Sequence, residues 1–271
     1  MLLALLLTVL AGGATSVGAA IALIGSGTSD RFLAAGLGFS AGVMLYVSFA
    51  ELLPQGAAVL SGAGPGETAT RAGTAWAAAS FFAGMILVAA LSRLVPQRMP
   101  RAVGGASAEA PGLPAAERAR RARLLRTGAL TAAVLALHNL PEGFATFVAA
   151  LQSPRVAVPV VIAIALHNIP EGIAVAIPVR RATGSRRRAF WLATASGMAE
   201  PVGAVIGWLL LSRWLEGPAL GAVLAAVAGV MVLISLDELL PSAEESGEHG
   251  VVVGALITGM AVMAGSLLLL G

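Results

Sequence analysis

Two hexapeptides in the middle of the chain can do metal chemistry: HNLPEG at 138–143 and HNIPEG at 167–172. In each, histidine and glutamate stand four residues apart, so on a helix His138 shares a face with Glu142, and His167 with Glu171. An imidazole nitrogen beside a carboxylate oxygen suits Zn²⁺ or a similar first-row dication. A proline lies between the members of each pair. Pro141 has no N–H for the carbonyl of Leu137, and Pro170 none for that of Leu166, so each helix should kink and free one carbonyl. In lipid such a group must be satisfied, and water or an ion in a cavity can do so. Gly143 and Gly172 would let neighbouring helices come close. Two such helices face to face would gather two imidazoles and two carboxylates. The chain has no cysteine, so thiolate ligands and disulfides are excluded.

The elements that must position these residues are set by composition. Of 271 residues, 58% are hydrophobic and 11% charged, with mean hydropathy +0.88; soluble domains carry about 25% charged residues. Eight stretches are long and apolar enough to cross a bilayer: 2–24, 32–53, 72–94, 124–150, 156–179, 189–212, 220–240 and 250–270. The first lacks a basic leader and its apolar run is too long for a signal peptide, so it counts as a helix. All 17 basic residues are arginine. They crowd into the loops after the first, third and fifth stretches, which places those loops in the cytoplasm and both termini outside. That distribution explains the pI of 10.8 better than nucleic-acid binding does. Residues 96–123, rich in Pro, Gly, Ala and Arg without apolar period, read as a disordered cytoplasmic loop in an otherwise single transmembrane domain spanning 1–271.

Charge sharpens the reading. Glu142, Glu171 and Glu200 lie well inside apolar stretches, with Glu51, Asp237 and Glu238 nearer their ends, and no arginine lies deep enough to pair with them. A carboxylate at the bilayer centre costs about 2.5–3.5 kcal/mol on insertion scales. Several together repel one another and take up protons unless cations enter. One such Glu could be protonated and serve packing alone; two His–x–x–x–Glu pairs and a third Glu argue against that. The remaining candidates read more plainly. His249 is interfacial, Glu244, Glu245 and Glu248 belong to a solvated loop, Met44 and Met231 pack, and Trp76, Trp191, Trp208 and Trp214 are interfacial or packing aromatics.

The chain also resembles itself. GVMLYVSFAELLP at 42–54 matches GVMVLISLDELLP at 229–241 in Gly, Val, Met, Ser, Glu, Leu, Leu and Pro, and the HNxPEG strings form a second pair. Stretch two thus resembles seven, and four resembles five, each pair crossing in opposite senses. This is an inverted-repeat pattern with stretches four and five as the central pair, an arrangement that puts a transporter's substrate site near the midplane.

The paired HNxPEG motifs on adjacent helices resemble the Zrt/Irt-like (ZIP) metal transporters, and most of all their bacterial broad-range branch. The likeness covers nearly the whole chain, including eight spans, external termini and a variable loop before the fourth. It implies an all-α integral membrane protein of the bacterial inner membrane that imports Zn²⁺, with Fe²⁺, Mn²⁺, Co²⁺ and Cd²⁺ as further cargo. It also implies no enzymatic activity and no prosthetic group, and leaves a homodimer open. The resemblance further implies a centre for up to two ions. One site uses His138, Glu142, His167 and Glu171; its neighbour uses Asn139, Asn168 and Glu200, with Glu142 and Glu171 bridging. Glu200 matches by its setting in SGMAEPVGA. Some relatives carry Gln or Asp where this chain has His167 and Asn168, which bears on how many ions are held. Glu51 and Asp237 or Glu238 would fit the pathway on either side. No nucleotide-binding motif is present, so transport would be driven by gradients, by alternating access of stretches one, four, five and six against the rest. The alternative from another class is an intramembrane zinc hydrolase, which needs three ligands, an open position and a general base. The symmetric pairs and the lack of HExxH speak against it.

Overall fold

The computed structural model describes residues 1–24, 29–63, 67–94, 114–152, 154–211, 217–245 and 247–270, and among them all regular structure is helical. In chain order the helices are α1 (Leu2–Ile24), α2 (Asp30–Val47), α3 (Leu53–Leu60), α4 (Arg71–Leu94), α5 (Ala115–Gln152), α6 (Pro154–Thr183), α7 (Arg186–Gly197), α8 (Ala199–Leu211), α9 (Pro218–Ile234), α10 (Leu240–Glu244) and α11 (His249–Leu270). Six helical stretches are long and apolar enough to cross a membrane: Leu2–Ile24, Asp30–Leu60, Arg71–Ala90, Arg186–Leu209, Pro218–Glu244 and His249–Leu269. The site helices α5 and α6 have 38 and 30 residues, which also exceeds the ~20 needed to span.

Three departures from sequence expectation have local causes. Residues 115–123, expected to be disordered, form the first turns of α5. Their alanines and arginines favour helix, and Glu117 and Arg121 pair one turn apart at 2.9 Å. The rest of that loop, 95–113, lies outside the described residues. The sixth stretch, expected to run unbroken, is interrupted at Met198 between α7 and α8. Pro201 offers no N–H to the carbonyl of Gly197, so the ladder cannot continue there. The second stretch ends not at 53 but at Leu60, and it passes through a π-helical turn at Ser48–Leu52.

A second π turn occurs at Ser235–Leu239, at the matching place in the repeated string. In both, a proline follows (Pro54, Pro241) that cannot serve the carbonyl four residues back. Those carbonyls belong to Ala50 and Asp237; just before each proline the ladder has widened to five residues, with Leu53 donating to Ser48 O and Leu240 to Ser235 O. The serine side chains close the turn identically, Ser48 Oγ donating to Met44 O at 2.7 Å and Ser235 Oγ to Met231 O at 2.8 Å.

Two packed cores are the largest among the described residues. One gathers α2, α4, α9 and α11, with Phe144 and Val148 of α5 and Ala174 of α6, around the buried Met44 and Met231, confirming their packing role. The other joins α1, α5, α6 and α7. Close backbone approach is written into glycines: a Cβ at Gly42 would run into Leu256 O of α11, and one at Gly229 into Phe81 O of α4. The cores meet where α2 crosses α6, with Ser40 Oγ donating to His167 O at 3.3 Å.

Candidate metal centre

The site is built where α5 and α6 lie side by side. Helix α5 carries His138, Asn139 and Glu142; α6 carries His167, Asn168 and Glu171; Glu200 sits in the first turn of α8, just past the break at Met198. Asn139, His167, Asn168, Glu171 and Glu200 are 0% exposed and Glu142 is 2% exposed. The side chain of His138 lies outside the described residues.

Both HNxPEG glycines work as expected, with specific partners. A Cβ at Gly143 would strike the backbone of Glu200, and one at Gly172 would strike Thr15 O. Thus α5 is pressed onto α8 and α6 onto α1. Both helices continue through their prolines, each leaving one carbonyl without its usual N–H.

The polar contacts join the set across helices. His167 Nε2 lies 2.8 Å from Glu142 Oε1, an imidazole–carboxylate contact between α6 and α5. Glu171 is within electrostatic reach of both, and Glu200 of both Glu142 and Glu171. The two asparagines are anchored alike: Asn139 Nδ2 donates to Ser196 O at 3.1 Å, and Asn168 Nδ2 to Ala11 O at 2.9 Å. Asn168 Nδ2 also reaches Glu200 Oε1. With their amide nitrogens tied to neighbouring backbones, Asn139 Oδ1 and Asn168 Oδ1 remain buried without a hydrogen-bond partner among the described residues, as does Glu200 Oε2. Buried oxygens left this way are what an oxygen-loving cation needs.

Among the described residues, no three His, Asp or Glu side chains stand close enough to hold one ion in this arrangement. The structure brings Glu142 to His167 and Glu200 to Asn168, while Glu171 is near but not joined into a three-ligand group. A cavity of about 330 Å³ opens on the side of the arginine-rich loops. Leu135 and Ala174 reach it from the site helices; Asp30, Arg181, Glu238 and Glu245 line it further out. Arg181 bonds Asp30 at 2.7 Å.

The secondary candidates separate. Glu51, in the first π turn, accepts from Gln55 Nε2 at 2.5 Å. Glu238, in the second, is half-buried at the cavity, and Asp237 is exposed. His249 is surface-exposed and contacts Glu244 at 2.7 Å. Trp76 and Trp191 face outward, Trp208 packs edge-on to Phe147, and Trp214 lies outside the described residues. The carbonyls of Ala11 and Ser196, which anchor the two asparagines, were not among the residues singled out by spacing. A signal existed: AGGATSVG at 11–18 and SGMAEPVG at 196–203 share Gly, Ala, Val and Gly at matching places.

The family model described as ZIP zinc transporter matches residues 116–271. The zinc transporter ZupT of Corynebacterium glutamicum is 53% identical over 274 residues, covering 99% of each chain. That of Corynebacterium efficiens is 52% identical over 267 residues, covering 97% of this chain and 95% of its own. That of Chlorobium phaeovibrioides is 50% identical over 269 residues, covering 98% and 97%.

Proposed function

Because the chain belongs to the ZIP zinc transporter family, we propose that it imports Zn²⁺ through the buried His–Asn–Glu site between α5, α6 and α8. One observation carries the reading: Glu142, Glu171 and Glu200 are buried in mutual electrostatic reach. Residues 127–154, 156–179 and 189–212 contain no arginine to neutralise them. Such a cluster is stabilised by a dication or by protons.

In this scheme one ion is held by His138, Glu142, His167 and Glu171, and a second position by Asn139, Asn168 and Glu200, with Glu142 and Glu171 shared. The contact between His167 and Glu142 opens as the ion takes the place of the proton between them. The asparagine oxygens need no rearrangement, since their amide nitrogens are already committed. The same N and O ligands accept Fe²⁺, Mn²⁺, Co²⁺ and Cd²⁺. The chain crosses a bacterial inner membrane eight times, α5 and α6 completing the six apolar stretches, with both termini outside. The cavity beside Glu238 then serves the cytoplasmic exit.

Alternating access follows from an inverted repeat. The matched π turns support it, as does the matched packing of α2 on α11 and α9 on α4. The body of α1, α5, α6, α7 and α8 would move against α2, α3, α4, α9, α10 and α11. A zinc hydrolase is not favoured, because the family is one of transporters. The test is initial Zn²⁺ uptake into proteoliposomes by Glu142→Ala and Glu171→Ala: both should lose it, and unchanged uptake in either overturns the site.

A further inference from the structure

Thr15 lies in the middle of α1, 0% exposed, and its Oγ1 has no hydrogen-bond partner among the described residues. Several other buried hydroxyls on these helices bond the carbonyl one turn back: Thr8 to Ala4 O and Thr146 to Glu142 O at 2.9 Å, Ser48 and Ser235 likewise; Thr194 Oγ1 and Ser266 Oγ share the unbonded state of Thr15 but lie away from the contacts described next. For Thr15 that carbonyl is Ala11 O, which instead accepts Asn168 Nδ2. A buried hydroxyl left unbonded is destabilising and calls for an explanation.

The surroundings of Thr15 supply one. Asn168 is tied to Ala11, four residues before Thr15; Asn139 is tied to Ser196, four residues before Glu200. Gly172 abuts the backbone of Thr15 as Gly143 abuts that of Glu200. Gly18 abuts Ile169 O as Gly203 abuts Leu140 O. Helix α1 therefore lies on α6 through the same series of contacts by which α7 and α8 lie on α5, and Thr15 occupies on the first what Glu200 occupies on the second. The two positions also converge: a Cβ at Gly12 would be 3.4 Å from Glu200 Cβ, and one at Gly197 would be 2.7 Å from Thr15 Oγ1. A helical side chain leans toward the N-terminus, so Thr15 leans over the Ala11–Gly12 turn whose Ala11 O holds Asn168, with its Oγ1 beside Gly197.

We infer that the Thr15 hydroxyl is a further oxygen ligand of the transported dication, the neutral counterpart of Glu200 on the opposite face of the site. This rests on the proposed passage of the ion between Asn168 and Glu200. A hydroxyl donates a lone pair without losing its proton, so it completes the oxygen shell without adding another negative charge to hold the ion back. A carboxylate on one side and a hydroxyl on the other gives binding that is firm enough to select and loose enough to release. Being a hard donor, it favours Mn²⁺ over the softer Cd²⁺.

The test replaces Thr15 by Val, which keeps the shape and removes the oxygen, and by Ser, which keeps the oxygen. Uptake into proteoliposomes is measured with Zn²⁺, Mn²⁺ and Cd²⁺, beside Glu200→Gln. Thr15→Val should raise half-saturation for Zn²⁺ about five- to tenfold and lower the Mn²⁺-to-Cd²⁺ ratio. Thr15→Ser should restore both. The melting temperature of Thr15→Val in chelator should equal or exceed that of the parent, because an unbonded polar atom has been removed. Parental half-saturation and ion ratio in Thr15→Val, with uptake lost in Glu200→Gln, leave Thr15 a packing residue and overturn the inference alone. Parental uptake in Glu200→Gln overturns the site reading and this inference with it.

Discussion

Gly12 of α1 and Gly197 of α7 face each other, each turned so that a Cβ on it would run into the other's carbonyl oxygen. A reciprocal contact of one residue type at equivalent places is what a local two-fold relationship between two helices produces, and it sits beside Thr15 and Glu200. Gly197→Ala should therefore destabilise the protein by about 1–3 kcal/mol, seen as a lower melting temperature and reduced uptake. Gly13→Ala, one residue away with nothing within 4 Å of its Cβ position, should be neutral or slightly stabilising. Equal behaviour of the two variants would remove the packing argument.

The imidazole of His167 meets Glu142 at 2.8 Å across two helices, so the pair acts together. His167→Ala should raise half-saturation for Zn²⁺ roughly tenfold or more, and it should cost much less when added to a weakened Glu142→Gln background, because the carboxylate it works with is already gone. Additive losses in the double variant, measured as initial uptake, would show that the two bind independently.

Metal ligands bind in their deprotonated forms, so an ion held by His138, His167 and the three glutamates, as proposed, would compete with protons there. With equal pH on both sides of the vesicle, half-saturation for Zn²⁺ should rise as pH falls, and Zn²⁺ binding should release protons into weakly buffered solution. A flat profile with no proton release would exclude shared occupancy.

The π turns predict a paired phenotype. Pro54→Ala and Pro241→Ala each supply the missing N–H and let the ordinary helical ladder displace the bulge, re-aiming Glu51 or Glu238. Uptake should fall several-fold in both, while melting temperature holds or rises because alanine favours helix. Parental uptake in both would deny these turns a transport role.

Orientation can be read with single cysteines, since the chain has none of its own. Thr68→Cys, in the exposed segment before α4, should react with a membrane-impermeant maleimide added to intact cells. Arg187→Cys, at the exposed start of α7, should react only after the membrane is opened. The reverse pattern would invert the topology.

Much of this was legible in the amino-acid order because it depends on neighbours one turn away. The HNxPEG pairs put imidazole and carboxylate on one face by helical spacing alone, apolar length marked six helical stretches long enough to cross a membrane, and uncompensated glutamates marked the buried cluster that α5, α6 and α8 bring together. The π turns were not anticipated, although both lie just before the proline of the repeated string. What the order could not settle is which groups meet across helices. That Asn139 bonds Ser196 and Asn168 bonds Ala11, that Gly143 meets Glu200 while Gly172 meets Thr15, and that Thr15 keeps its hydroxyl unbonded all depend on how close two helices approach and in what register. Those are set by many glycine and side-chain contacts at once, and no local spacing encodes them.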